Sequence, residues 1–356
     1  LPMRTYTAIG LMSGSSLDGI DLALVQFDRL EEQYHFDILQ AATLSYPDAW
    51  RQRLADAFLE NPDTLDFLDL EYGRFLGKCV ADFARRNAIR PDFVASHGHT
   101  VFHQPEKGFT LQIGNGQTLA NACSFQVVND FRSEDVSKGG QGAPLVPIGD
   151  RLLFPDYEMC LNIGGIANIS YEENGQRIAY DICIANQALN FLAQQEGLSF
   201  DRDGKLAQAG SLRPDLLNKL NDNAFFTKTP PKSLGREFFE HDQKTLLSDY
   251  TTIDLLSTFT EHIAIQIAQC VAHLPKGKML VTGGGALNTY LMERIAAHTW
   301  HKIVVPDRQI VDYKEALVFA LLGVLRLEGE TNVLASVTGA ESDSCSGKIW
   351  LPQNAT

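Results

Sequence analysis

Apolar and polar positions alternate along the first half of the chain in a way that predicts several strands. Period-two patterning and short apolar runs predict strands at residues 5–11, 20–27, 36–45, 92–96, 110–113 and 125–129. In the second of these, Ile20, Leu22 and Leu24 share one face. From Leu65 to Phe83 the apolar positions instead recur every three or four residues, which predicts a helix with Asp63 as its N-cap.

The second half repeats this order of elements. Strands are predicted at residues 159–163, 166–171, 177–182, 278–282 and 302–305. Helices are predicted at residues 185–195, 214–220, 254–274, 286–298 and 314–327. Two sets of three strands, each followed by helices, predict a mixed α/β protein with two domains. Residues 138–147, with three glycines and two prolines, are the expected connection between them.

Composition and charge exclude several classes of protein. The chain has 356 residues, 44% of them hydrophobic, and a net charge of −14, which does not suit a general nucleic-acid binder. No apolar stretch approaches the ~20 residues that span a bilayer, and the first residues lack the apolar core of a signal peptide. The six cysteines form no C-x-x-C pair, so we expect reduced thiols and a cytoplasmic protein without membrane or nucleic-acid partners.

Three glycine-rich turns, each directly after an apolar run, are the main candidates for ligand binding. They are Gly14-Ser15-Ser16-Leu17-Asp18-Gly19, Gly164-Gly165 and Gly283-Gly284-Gly285. Glycine lets the backbone approach a ligand closely, and bare N–H groups suit phosphate oxygens. The first turn is equally compatible with an ordinary hairpin. A P-loop is excluded, because no Gly-Lys pair is followed by Ser or Thr, and G-x-G-x-x-G is absent.

Other polar residues leave more than one chemistry open. His97, His99 and His103 would share one face of an extended strand, which suggests a metal site, although the carboxylate ligands expected beside them are missing. Asp181 lies at the end of a predicted strand, just before a helix, so it could be a general base or a helix cap. Glu315 begins the last long helix, where an acidic side chain favours the helix dipole without any catalytic role.

Taken together, the sequence resembles one family over nearly its whole length. The matching segments, in order, are GLMSGSSLDGID, SHG, TLQIG, VVNDFRSEDVSKGGQGAPLVP, LNIGGIANIS, PPKSLGREFF, TGGGALN and EALVFA. They resemble the anhydro-N-acetylmuramic acid kinases, a branch of the actin-like ATPase superfamily. The resemblance implies a two-domain α/β actin-like ATPase (duplicated ribonuclease H-like) fold with an interdomain cleft. The first domain is then residues 3–140, with 335–356 returning to it, and the second is 150–334.

The resemblance also implies a role for individual residues. Asp181 matches the catalytic aspartate, and His97, Arg132 and Glu315 match residues of the substrate pocket. Nucleotide binding is implied for Gly14, Ser15, Ser16, Leu17, Asp18, Gly19, Ile20, Asp21, Gly164, Gly165, Gly283, Gly284 and Gly285. The implied cofactors are ATP and Mg²⁺, with the metal bridging the phosphates and no metal site built from protein ligands. A homodimer is compatible with the resemblance.

The activity implied is the ATP-dependent opening of 1,6-anhydro-N-acetylmuramic acid and phosphorylation of its 6-oxygen, which gives N-acetylmuramic acid 6-phosphate in cell-wall recycling. The sequence departs from the family after Asp181, where the usual Thr-Gly-Pro-Gly-Asn is replaced by Ile182-Cys183-Ile184-Ala185-Asn186. Two alternatives remain open at this point. One is a diverged actin-like ATP-binding protein with another amino sugar or no catalysis, and the other is a histidine-liganded metal hydrolase.

Overall fold

The computed structural model describes residues 4–14, 17 and 19–353. The strands are β1 (Arg4–Ser13), β2 (Ile20–Leu30), β3 (Gln33–Leu44), β4 (Phe93–Ser96), β5 (His99–Gln104), β6 (Phe109–Ile113), β7 (Gln126–Asn129), β8 (Met159–Ile163), β9 (Ile166–Glu173), β10 (Gln176–Ile184), β11 (Lys278–Thr282), β12 (Lys302–Val304) and β13 (Lys348–Trp350). The helices are α1 (Asp48–Asp56), α2 (Pro62–Arg86), α3 (Gly116–Cys123), α4 (Ser133–Ser137), α5 (Pro147–Leu153), α6 (Asn186–Gln195), α7 (Lys205–Ala209), α8 (Pro214–Asn221), α9 (Ala224–Thr227), α10 (Thr252–Val271), α11 (Thr289–His298), α12 (Arg308–Glu328) and α13 (Ala335–Thr338).

Contacts divide the chain into two compact units. The first comprises Leu1–Phe154 and Tyr313–Thr356, and the second comprises Pro155–Asp312. The first unit contains a sheet with the strand order β13-β7-β4-β1-β2-β3 and a separate β5–β6 hairpin. Strands β1, β2 and β3 pair antiparallel, whereas β4 is parallel to both β1 and β7.

The second unit repeats this topology. Its sheet has the order β10-β9-β8-β11-β12, with β8, β9 and β10 antiparallel and β11 parallel to both β8 and β12. If the edge strand β13 and the separate β5–β6 hairpin are left out, the strands of each unit stand in the order third, second, first, fourth, fifth, with the same directions. This duplicated ribonuclease H-like arrangement confirms the α/β fold class that the sequence predicts.

Helix α12 begins in the last residues of the second unit, and from Tyr313 onward it belongs to the first. The chain thus returns to the first unit well before residue 335, where the sequence analysis places the return. Packing explains this difference, because Phe319 on α12 contacts the ring of His97 and Gly323 lies against Phe93. Such apolar contacts bury one face of the helix in the first unit.

Two local expectations are wrong. Asn61, and not Asp63, caps α2, because its side-chain oxygen accepts a hydrogen bond from the Thr64 N–H at 2.9 Å. The glycine-rich segment 138–147 does not connect the units, whose boundary follows Phe154. It folds inside the first unit, where both oxygens of the fully buried Asp135 side chain accept hydrogen bonds, one of them from the Gly142 N–H at 2.8 Å.

Among the residues that the structure describes, no helix is long and apolar enough to cross a membrane.

We predict that Gly10→Ala strongly destabilises the first unit. A Cβ at Gly10 in β1 would lie 1.9 Å from the carbonyl oxygen of Ala316, a backbone atom of α12 that cannot rotate away. The expected loss is more than about 3 kcal/mol of unfolding free energy, measured by urea denaturation. Gly197→Ala is the control, since nothing lies within 4 Å of its Cβ and only its positive φ of 76° costs stability, about 1 kcal/mol. Equal losses for the two variants would contradict the packing argument.

Candidate active site

The first glycine turn joins β1 to β2. Ser15, Ser16 and Asp18 lie outside the described residues. Leu17 has a left-handed φ of 59° and donates its N–H to the Gly14 carbonyl at 3.3 Å, which closes a tight turn. Gly19 is required by packing, because a Cβ there would lie 2.6 Å from the Leu44 carbonyl oxygen.

Ile20 and Asp21, which follow the first turn, differ in the atoms that could contact a ligand. The Ile20 side chain is buried in the core of the first unit, so only its backbone could contact a ligand. Asp21 points the other way along β2, and its Oδ1 accepts a hydrogen bond from Thr43 Oγ1 at 2.6 Å. A carboxylate therefore stands close to the backbone of the turn.

The second glycine turn, Gly164-Gly165, joins β8 to β9 and is held by the start of α6. The N–H groups of Ala185 and Gln187 donate to the Gly165 carbonyl at 2.8 and 3.2 Å, and the Asn186 N–H donates to the Gly164 carbonyl at 3.0 Å. The first N–H groups of a helix are a common anion site. Here they are occupied by the turn, so an anion at this position must be bound by the turn itself.

Neither packing nor backbone conformation requires a glycine at either position of this turn. A Cβ at Gly164 or Gly165 would meet no protein atom closer than 3.7 Å, and neither residue has a left-handed φ. Gly165 is also exposed. The lack of side chains therefore leaves open space beside the backbone, into which a ligand can come close.

The third glycine turn follows β11 and divides into two kinds of glycine. Gly283 has a φ of 81°, and a Cβ there would lie 2.7 Å from the Ile163 carbonyl oxygen. A Cβ at Gly285 would lie 2.3 Å from Ile163 Cγ2. Gly284 is exposed, and its Cβ would lie 3.8 Å from the nearest protein atom, the Asn186 amide nitrogen. Packing thus explains Gly283 and Gly285 but leaves Gly284 unexplained.

A cavity of about 480 Å³ opens beside this turn within the second unit. It is large enough for a nucleoside or a similar small molecule. The residues that line it are Asn186, Leu189, Asn190, Phe200, Asp201, Arg202, Asp203, Gly284, Gly285, Leu287, Asn288 and Arg308. Phe200 offers an apolar surface that is 50% exposed.

Two polar side chains of the cavity are already used by the backbone. The oxygens of Asp201 accept hydrogen bonds from the N–H groups of Leu206 and Ala207, both at 2.9 Å. Asn288 caps α11 by accepting from the Leu291 N–H at 3.0 Å. These side chains shape the wall and hold the segment after α6 in place.

Asp181 lies inside β10, which continues to Ile184, rather than at a strand end as expected. Its carboxylate is half-buried, and Oδ2 accepts a hydrogen bond from the Leu234 N–H at 2.9 Å. Burial raises the pKa of Asp181 above its ordinary value, and the Leu234 hydrogen bond opposes this effect. A carboxylate that is held in one place with a raised pKa suits general base catalysis.

The apolar segment after Asp181 is strand and core, not a flexible turn. Ile182 is the extra residue of a β-bulge, and Cys183 and Ile184 resume pairing opposite Ala167 and Ile166. The side chains of Ile182, Cys183 and Ile184 are at most 1% exposed. This departure from the family pattern therefore places apolar side chains in the core and none of them at the surface beside Asp181.

In the first unit, His97 and Arg132 form one hydrogen-bonded pair. His97 follows β4, is 8% exposed, and its Nδ1 lies 2.8 Å from the Gly98 carbonyl oxygen. The Nε and Nη2 of Arg132 lie 3.1 and 2.9 Å from His97 Nε2, and its Nη1 donates to the Gly142 carbonyl at 2.6 Å. Burial and the Arg132 charge lower the pKa of His97 to about 3, so the imidazole is neutral at physiological pH.

Glu315 lies near this pair on α12. Its side chain is reached by solvent, yet surrounding protein raises the pKa of Glu315 above the ordinary value, with a further contribution from the charge of Asp21. Arg132 and Lys314 oppose that rise. Lys314 is itself buried and lies 2.6 Å from the Asp150 carboxylate. The first unit therefore brings Asp21, Arg132 and Glu315 into one electrostatic group.

The three histidines do not share a strand face as expected. His97 lies in the turn before β5, whereas His99 and His103 are on β5 itself. Within the part of the chain that the structure describes, no group of three or more His, Cys, Asp or Glu side chains is placed to hold a metal ion. Both ring nitrogens of His97 are engaged, one of them by a guanidinium cation, which argues against a metal-ligand role.

Sequence reasoning missed most of the cavity. Phe200, Arg202 and Arg308 belong to segments without a glycine turn, and only the fold brings them beside Gly284. The exceptions are Gly284 and Gly285, which form the third glycine turn, and Asn186, which matches the family pattern after Asp181. A signal for Asp201 could have been found, since it is an acidic residue shortly before α7, and its side chain accepts hydrogen bonds from N–H groups of the first turn of that helix.

Comparison with known proteins identifies relatives over the whole chain. A family model described as anhydro-N-acetylmuramic acid kinase matches residues 6–352. The anhydro-N-acetylmuramic acid kinase of Vibrio cholerae serotype O1 is 37% identical over 368 residues, which cover 97% of this chain and 98% of the relative. That of Pseudomonas fluorescens is 32% identical, with 96% and 98% covered.

Solved structures show more distant likenesses. Component A of the (R)-2-hydroxyglutaryl-CoA dehydratase of Acidaminococcus fermentans has a TM-score of 0.45 at 13% identity, covering 89% of this chain and 96% of that one. A ROK hexokinase from Thermus thermophilus has a TM-score of 0.40 at 13% identity, covering 89% and 99%.

We predict that Gly284→Ala and Gly285→Ala separate ligand binding from folding. Gly284→Ala meets open space, so stability should stay within about 0.5 kcal/mol while ATP binding weakens about tenfold or more, because the methyl group enters the cavity. Gly285→Ala collides with Ile163, and about 1–3 kcal/mol of stability should be lost. Calorimetric ATP titration and thermal denaturation measure the two effects. Unchanged ATP affinity in Gly284→Ala would exclude a ligand at this turn.

Proposed function

Since the chain belongs to the anhydro-N-acetylmuramic acid kinase family, we propose that it opens 1,6-anhydro-N-acetylmuramic acid and transfers the γ-phosphoryl group of ATP to the 6-oxygen. The product is N-acetylmuramic acid 6-phosphate, an intermediate of peptidoglycan recycling. The observation that carries the assignment of the site is the half-buried Asp181 carboxylate with its raised pKa.

We propose that the three glycine turns bind the nucleotide. The cavity beside Gly284 takes the adenosine, with Phe200 offering an apolar surface to the base. The Gly164-Gly165 turn and the turn from Gly14 to Asp21 take the phosphates. Binding at the second and third turns is supported by the open space beside Gly164, Gly165 and Gly284, which no packing requirement of the protein explains.

Asp181 is proposed as the general base of the sugar reaction. It removes a proton from a water molecule as the water oxygen bonds to the anomeric carbon and the bond from that carbon to the 6-oxygen breaks. The 6-oxygen gains negative charge and attacks the γ-phosphorus, and ADP leaves. The Leu234 N–H holds the carboxylate in a single orientation for this step.

Arg132 and Glu315 are proposed to bind the sugar, with His97 in the same group. The guanidinium of Arg132 supplies donors and the Glu315 carboxylate supplies acceptors, a combination that suits the hydroxyl and carboxylate oxygens of an amino-sugar acid. The raised pKa of Glu315 supports this placement, because an acid perturbed by burial and by nearby charges is a candidate for a functional site.

Mg²⁺ is proposed to be held by the phosphates and by water. When bound, it neutralises charge on the β- and γ-phosphate oxygens. Asp21, whose carboxylate lies beside the first turn, would contact the ion through one of its water molecules.

A homodimer is proposed as the assembled state. Exposed apolar side chains on the first unit support it, among them Phe58, Leu59 and Phe67 at 57%, 71% and 60% exposure. Light scattering after size-exclusion chromatography tests it, and a monomer at micromolar concentration would overturn it.

We predict that Asp181→Asn removes turnover and leaves ATP binding intact. The amide oxygen can still accept from the Leu234 N–H, so the fold is kept while the base is lost. The expected fall in kcat is about 10²–10⁴-fold, followed as ADP release with the anhydro sugar as acceptor. Asp156 is exposed, and Asp156→Asn is the matched control, in which turnover should be unchanged. Weakened ATP binding, or normal turnover, in Asp181→Asn would contradict the role of a base.

We predict that kcat/KM for the sugar falls at acid pH through a pKa above that of an ordinary aspartate. The base is active when deprotonated, and burial raises the pKa of Asp181, so activity is lost as pH falls through that raised value. A pH profile at saturating ATP measures it. In Glu315→Gln, activity should be lower overall but should still fall at acid pH. If the fall at acid pH disappeared in this variant, the titrating group would be Glu315 instead of Asp181.

A further inference from the structure

We propose that His97 is a positioning residue, which holds the Arg132 guanidinium in its working orientation and contacts no sugar atom itself. The inference rests on the proposed role of Arg132 in binding the sugar. It goes beyond that role because it places His97 behind Arg132 and gives each ring nitrogen a defined task.

Hydrogen-bond chemistry determines the state of the ring. A carbonyl oxygen can only accept, so the contact between Nδ1 and the Gly98 carbonyl at 2.8 Å requires a proton on Nδ1. A guanidinium can only donate, so the two contacts from Arg132 at 2.9 and 3.1 Å require a bare Nε2. His97 is therefore a neutral imidazole in a single tautomer, with both nitrogens in use and neither left for a sugar hydroxyl.

The surroundings keep the ring in this orientation. His97 is 8% exposed, and the Phe319 ring packs edge-on against it with a centroid distance of 4.9 Å. The His97 backbone N–H donates to the Leu11 carbonyl of β1 at 3.1 Å. Backbone and ring are thus anchored separately, which is typical of a side chain that supports another group.

The same contacts connect Arg132 to the first glycine turn. The Gly98 carbonyl also accepts a hydrogen bond from Ser13 Oγ at 2.6 Å, and Ser13 is the last residue of β1, directly before Gly14. A continuous chain of hydrogen bonds therefore runs from the base of that turn through Gly98 and His97 to Arg132.

On its other side, Arg132 donates from Nη1 to the Gly142 carbonyl at 2.6 Å. The contacts within the described residues occupy three of the five guanidinium N–H groups, which leaves one on Nη1 and one on Nη2 for a ligand. Fixing three donors in this way aims the other two, and it lowers the entropy lost when a ligand binds.

Two substitutions of His97 separate the tasks of its nitrogens. In His97→Gln, the Oε1 atom reaches the position of Nε2 and can accept from Arg132. In His97→Asn, the amide nitrogen replaces Nδ1 and can donate to Gly98, but nothing reaches Arg132. We expect His97→Asn to lower kcat/KM for the sugar about tenfold or more, with unchanged ATP affinity, and His97→Gln to recover most of that loss. His35→Asn, an exposed histidine of β3, is the control.

A double-mutant cycle with Arg132→Ala decides whether His97 acts through Arg132. If it does, His97→Asn has little further effect once Arg132 is absent. Losses that multiply would show an independent contact between His97 and the sugar and would overturn the inference, while the loss in Arg132→Ala would leave the proposed function standing. Full activity of Arg132→Ala would instead overturn the proposed role of Arg132, and the inference with it.

A measurement on the wild-type protein guards against variants that fail to fold. Nitrogen-15 spectra of labelled histidine distinguish a proton on Nδ1 from one on Nε2. We expect His97 to carry its proton on Nδ1 between about pH 5 and 8. A proton on Nε2, or a doubly protonated ring in this range, would overturn the inference.

Discussion

Direct contact between backbone segments determines the architecture around the glycine turns. Gly283 and Gly285 lie so close to Ile163 that no side chain fits between them, and the carbonyls of the Gly164-Gly165 turn accept the first N–H groups of α6. These contacts fasten β8, β11 and α6 to one another. Gly10 against Ala316 serves the same purpose in the first unit. Gly164, Gly165 and Gly284 have neither such a close contact nor a left-handed φ, which supports the proposal that they are ligand positions.

The side chains proposed to act on the substrate have similarly perturbed pKa values in the two units. Asp181 and Glu315 are carboxylates whose pKa values are raised by surrounding protein, and His97 is held neutral. Arg132 is the exception, since it keeps its charge although burial lowers its pKa to about 10. Within the first unit, the Arg132 cation lies near Glu315 in surroundings partly deprived of water, where it attracts oxygen-rich ligands more strongly than it would in bulk solvent.

Patterns in the sequence were enough for most strands of the two units, because each of those strands has an apolar run. They were not enough for β5, where polar residues interrupt the pattern, or for β13, which has only three residues. Asp181 is named as the catalytic residue only through a family resemblance, and that role stays a prediction. The cavity lining was not accessible in this way, since Phe200 and Arg308 are far apart in sequence and exposed. The role of His97 also depends on tertiary contacts, because no local pattern shows which atoms its two nitrogens meet. The spacing of His97, His99 and His103 suggested a metal site. In the structure, the turn at Gly98 separates His97 from β5, which carries the other two histidines.

The bulge in β10 has a consequence for how this protein can change in length. An insertion at the Asn174-Gly175 turn would lengthen the hairpin loop and leave the pairing of β9 with β10 as it is. A single-residue deletion between Ile178 and Asp181 would instead turn the carboxylate to the opposite face of the sheet and bring an apolar neighbour to its place. Natural length variation should therefore be frequent at the hairpin tip and absent from the few residues before Asp181.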